Sequence, residues 1–120
     1  MSEKHPLPPC PDSPNCVSTF ATDRQHAIDP IRYDGDRKAA LRRMKRVLQQ
    51  HRKATLKEER EDYLRAVFRA FVFKDDVEFY FPSDESVIHF RSASRTGYSD
   101  LGANRRRMEQ LRRLFAQEKV

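Results

Sequence analysis

From Ala54 to Ser94 the apolar residues stop recurring every three or four positions and begin to alternate. Side chains repeat every two residues along a strand and every 3.6 along a helix, so this run constrains the chain to a sheet. Four strands are expected, at Ala54–Glu59, Asp62–Phe71, Val77–Phe81 and Val87–Ser94. The connections at Arg60-Glu61, Val72–Asp76 and Pro82–Ser86 are hairpin-sized, which makes an antiparallel meander the economical arrangement. Asp75-Asp76 reads as turn chemistry within the second connection.

Alternation also sorts the side chains. Leu64, Ala66, Phe68, Val77, Phe79, Phe81, Ile88 and Phe90 fall on one face. That face needs a cover, and two amphipathic segments supply it. Over residues 36–52, Ala40, Leu41, Met44, Val47 and Leu48 keep helical spacing, with Asp36 as the cap. Over residues 100–117, Asn104, Met108, Leu111 and Phe115 do the same, with Asp100 placed to cap. The fold expected is therefore α+β: a four-stranded antiparallel sheet with two amphipathic helices packed on one face.

Before the first helix the chain is irregular. Residues 1–16 hold five of the seven prolines and both cysteines, and proline fixes φ while withholding a backbone donor. A Cys/Pro-rich extended arm is expected there, followed by an ordered coil over residues 17–35. Cys10 and Cys16 either close a small disulfide loop or remain reduced thiols, according to the compartment. With only His5 and His26 nearby they fall short of a four-ligand zinc site. At 120 residues the chain fits one domain, 1–120, with one modest core.

The formal charge of +6 is unevenly spread. Both helical segments are basic, and residues 57–90 are acidic. No apolar run of membrane-spanning length exists. The start, MSEKHPLPPCPDSPNC, lacks the apolar stretch of a secretory signal. As given, the chain is expected in the cytoplasm, an envelope location requiring a segment upstream.

The sheet face opposite the core should collect Tyr63, Arg65, Arg69, Glu78, Tyr80, His89 and Arg91. Such a set serves either as ordinary solvated ion pairs or as a binding surface. Continuing the alternation, Ser92 and Ser94 turn to the core, while Arg91 and Arg95 turn to the polar face. Gly97 and Gly102 then break the strand before the arginine-rich start of the last helix.

These segments resemble a bacterial and plastid family known only as a domain of unknown function, number fourteen ninety-nine in that series. The stretches that carry the resemblance are CPDSPNCVS, HAIDPI, YLRAVFRA, DDVEFYF and, longest, RSASRTGYSDLGANRRRME. They run in order over nearly the whole chain. The resemblance implies no activity, catalytic residue or cofactor. Many members resemble exported or membrane-anchored proteins with an apolar segment before the cysteines, which this sequence lacks.

Three functions compete. The first is a non-catalytic module binding an anionic small molecule or an acidic partner through Arg65, Arg69, Glu78, Tyr80, His89, Arg91, Arg95 and Tyr98, since the guanidinium fork suits carboxylate and phosphate. The second is a hydrolase-like enzyme with Glu78 and His89 as acid and base, although no nucleophile elbow, phosphate loop or metal motif is present. The third is non-specific nucleic-acid binding by the basic helices, where the absence of interleaved aromatics disfavours specific readout. No metal and no cofactor are expected.

Overall fold

The computed structural model describes residues 5–118, so positions 1–4 of the expected arm lie outside the described residues. The fold is α+β, with two helices and an antiparallel sheet. Helix α1 spans Arg37–Gln50, and the Asp36 carboxylate accepts from Lys38 N at 2.7 Å. A meander follows: β3 (Ala54–Arg60), β4 (Tyr63–Ala70), β5 (Phe73–Tyr80) and β6 (Val87–Ser94). Helix α2 (Ala103–Gln117) closes the chain.

The sheet has six strands rather than four. Residues 17–35, expected as coil, contribute most of β1 (Cys16–Ser18) and all of β2 (Ile31–Arg32), and both pair antiparallel with β6. Their strand order is β1-β6-β5-β4-β3, with β2 on β6 beside β1. Strands of three and two residues are too short to show a period, which is why the sequence reads as coil. Their effect is to cover an edge that would otherwise present unpaired backbone groups.

The second hairpin also differs from expectation. Its turn is Phe71-Val72, and β5 begins four residues earlier than the alternation suggests. Asp75 and Asp76 are thus strand residues with side chains on opposite faces. Phe71 occupies a left-handed conformation, φ 57°.

The core lies between the helices and one sheet face. Leu64, Ala66, Phe68, Val77, Phe79, Phe81, Ile88 and Phe90 are buried there, as the alternation requires, against Met44, Leu48, Met108, Leu111 and Phe115. Val17, Ile28, Ile31 and Tyr33 complete it. The opposite face is not open to water throughout. Tyr63, Val67, Glu78 and Ala93 are buried on it, and the segment from His5 onward lies across part of it. Leu7 is buried, the His5 ring stacks on Phe20 at 3.7 Å between centroids, and Phe20 stacks on His89 at 4.2 Å. Cys10 and Cys16 are joined in a disulfide with Cα atoms 5.8 Å apart, tying this segment to β1.

Candidate functional site

On the polar sheet face, Glu78 and Arg91 pair with each other, and Arg65, Arg95, His89 and Tyr80 contact neighbours outside the expected set. Cross-strand pairing sets Arg65 opposite Glu78 and Glu78 opposite Arg91. Tyr63 donates to Glu78 Oε2 at 2.7 Å, and Arg91 Nη1 lies 3.6 Å from Glu78 Oε1 while Nη2 donates to the Pro9 carbonyl at 3.3 Å. Burial, and then the bond to Glu78, raise the Tyr63 pKa above the usual phenol range. Arg95 donates to both oxygens of Asp76 at 2.8 and 3.0 Å, and Arg65 reaches Asp76 at 3.5 Å and Glu58 at 3.6 Å. The Arg95 fork holds the Asp76 carboxyl below its usual range. His89 faces Thr19 Oγ1 at 2.9 Å and Glu85 at 3.7 Å. Tyr80, across from His89, lies near the His5 ring at 6.4 Å. Arg69 and Tyr98 sit away from this network, at the far end of the sheet.

That far end is the strand-turn-helix junction, and a buried polar cluster holds it. Ser92 donates to Asn104 Oδ1 at 2.6 Å. Asn104 Nδ2 lies within donating distance of Asp100 Oδ2 (2.7 Å), Ser94 Oγ (2.9 Å) and Asn15 O (3.2 Å). Arg107 donates to Asn104 Oδ1 at 2.8 Å and pairs with Asp75. The N-cap position of α2 is Gly102, at φ 82°, yet the Asp100 carboxylate still accepts from Gly102 N and Asn104 N, at 2.8 and 2.9 Å. Burial works to raise the Asp100 pKa, but the bonds from Asn104 and Gly102 outweigh it and leave the carboxyl below its usual range. An acid at the positive end of the helix dipole offsets the three arginines that follow.

Two depressions adjoin this cluster. One, of about 290 Å³, is lined by Ala70, Phe73, Lys74, Asp75, Gly97, Ser99, Leu101 and Arg107 among others. Of the exposed large apolar side chains among the described residues, Phe73 and Leu101 line it, while Phe71, Val72 and Tyr98 belong to the same two turns of the chain. The second, a groove of about 450 Å³, runs between α2 and the end of β4. It is lined by His51, Lys53, Phe68, Arg69, Ala70, Ala103, Arg106, Arg107, Gln110 and Arg113. Five of these are cations and none is a carboxylate. Arg107 pairs with Asp75, whereas Lys53, Arg69, Arg106 and Arg113 have no carboxylate partner among the described residues. Arg106, Gln110 and Arg113 follow at four- and three-residue steps, the spacing of one helix face.

Sequence reasoning singled out Arg69, Tyr98 and, less strongly, the Arg105–Arg107 start of the last helix at this end, but not Lys53, Gln110 or Arg113. The helical stripe was readable; its adjacency to Lys53 and Arg69 needed the fold. Among the described residues no helix is long and apolar enough to cross a membrane. No curated protein and no solved structure matches the chain. A family model described as "Protein of unknown function (DUF1499)" matches residues 6–115, and the chain belongs to that family.

Proposed function

We propose that the protein is a non-catalytic module that binds an anionic partner through the groove between α2 and the end of β4. The observation that carries this reading is the groove's lining of five cations without a carboxylate. Elsewhere the arginines expected to bind are already matched: Arg95 and Arg65 by Asp76, and Arg91 by Glu78. A matched guanidinium must break an ion pair before it receives a ligand, whereas Lys53 and Arg113 need only lose water and Arg106 gives up at most one neutral hydrogen bond, from Nη1 to the Leu101 carbonyl at 2.7 Å. The groove therefore concentrates acidic ligands by its summed field.

The acid–base reading of Glu78 and His89 draws less support. Glu78 is held by Tyr63 and Arg91, and His89 faces Thr19 and Glu85. The Cys10–Cys16 disulfide favours an oxidising compartment as the place of work.

Calorimetric titration with poly-glutamate tests the proposal. Saturable binding that weakens as salt is raised is expected, because exposed charges are screened beyond about 10 Å at 0.1 M ionic strength. Absence of any binding at low salt removes the reading.

A further inference from the structure

We propose that the groove and the apolar end of the sheet together form a docking surface for an anionic lipid bilayer. The inference rests on the groove's binding anions, and adds what lies beside it. Phe71, Val72, Phe73, Tyr98 and Leu101 are the exposed large apolar residues among those described; Phe73 and Leu101 line one depression, and Phe71, Val72 and Tyr98 lie in the chain between other residues of its lining, Ala70 and Phe73 or Gly97 and Ser99. Soluble surfaces scatter such residues; a cluster of them marks a contact with something apolar.

The backbone adds an independent observation. Among the described residues, Phe71 (φ 57°) and Leu101 (φ 54°) are the non-glycine residues with positive φ. Glycine or asparagine adopts that conformation at lower cost, and bulky side chains there are outliers. Phe71 is 94% exposed and Leu101 84% exposed. Neither the backbone nor burial in the fold rewards a large apolar side chain at these positions. An outlier of this kind points to a role outside the folded chain, and an apolar medium beyond the tip supplies one.

Charge complementarity selects the medium. The depression, whose two carboxylates are held by Arg107 (Asp75) and by Asn104 (Asp100), shares Ala70, Ala103 and Arg107 with the basic groove, so they form one continuous surface with Phe73 and Leu101 at one end and a cationic flank. A bilayer containing anionic lipids offers the same two layers, with acyl chains beneath phosphates. The Phe71-Val72 turn is two residues wide and almost wholly exposed. A narrow projecting tip suits insertion among headgroups, where aromatic rings settle readily. Lys53, Arg106 and Arg113 then meet phosphates from the flank.

Co-sedimentation with vesicles tests this. The full chain should pellet with vesicles of equimolar phosphatidylcholine and phosphatidylglycerol and stay in solution with phosphatidylcholine alone. Phe71→Asn/Leu101→Asn should lower the vesicle partition coefficient by about tenfold or more, as loss of two inserted side chains requires, while leaving poly-glutamate binding unchanged. Asparagine tolerates positive φ, so lost binding in this variant does not come from a lost fold. Arg106→Glu/Arg113→Glu should lose both. Failure to pellet with mixed vesicles alongside normal poly-glutamate binding overturns the bilayer inference and leaves the groove reading intact. Failure of both overturns both. Vesicle binding that is indifferent to Phe71→Asn/Leu101→Asn, or capture of duplex DNA in place of vesicles, also overturns the bilayer inference.

Discussion

Ser92 donates a 2.6 Å hydrogen bond to Asn104, and both side chains are fully buried at the seam between β6 and α2. Asn104 also stands within reach of Asp100, Ser94, Asn15 and Arg107, so one amide joins the last strand, the N-terminal segment and the last helix. Asn104→Ala would leave several of those groups buried without partners. Each unmet buried group costs about 1–3 kcal/mol, and a loss of roughly 2–4 kcal/mol is expected in urea unfolding. A loss within experimental error would mean that the cluster does not hold the junction.

Acid should unfold the protein through Asp76 and Asp100. Both carboxyls titrate lower in the folded chain than in the unfolded one, where the usual value is about 3.9. Below that pH the unfolded chain takes up protons first, so the stability these groups contribute is complete above about pH 5 and lost as pH falls through their folded values. Melting temperature should be nearly level in that upper range and drop below about pH 4. Asp76→Asn/Asp100→Asn should be less stable at neutral pH and show a shallower acid decline. An equally steep decline in the variant would place the acid sensitivity elsewhere.

Reduction of the Cys10–Cys16 disulfide should loosen the segment that crosses the polar sheet face. The closed loop is short, with a sequence separation of 6, and chain-entropy arguments give roughly 2 kcal/mol for a loop of that size. Cys10→Ser/Cys16→Ser should lower stability by that order and speed hydrogen exchange in β1 and in the strand residues around Arg91. Unchanged exchange there would show that the covering segment does not depend on the bridge.

The tip residues should trade stability for binding. Replacing Phe71 or Leu101 by glycine relieves a positive φ, which costs a non-glycine residue about 1 kcal/mol. Phe71→Gly and Leu101→Gly should hold or raise the melting temperature. A clear fall in either would mean that the side chain supports the fold itself.

The alternation from Ala54 to Ser94 carried the face assignment, because a buried sheet face leaves its period in the sequence. The helices were legible for the same reason, and Asp36 caps α1 as its position suggests. The Phe71-Val72 turn was not, since it contains no turn residue and the Asp75-Asp76 pair nearby does. Nor could the sequence disclose that His5, Leu7 and Phe20 cover part of the polar face, or that Lys53 joins Arg106 and Arg113. Those contacts join residues far apart in the chain and leave no local pattern. The two arginines that looked sharpest in the sequence, Arg91 and Arg95, are the ones the fold pairs with Glu78 and Asp76.

The central claim is that anions bind in the groove rather than on the sheet face. Poly-glutamate affinity, measured at low salt for Arg106→Glu/Arg113→Glu and for Arg91→Ala/Arg95→Ala, tests it most directly. The account predicts that the first pair abolishes binding and the second leaves it within about twofold, since each 1.4 kcal/mol is tenfold and an already paired arginine contributes less than that. Binding that survives in the first variant and disappears in the second would contradict it.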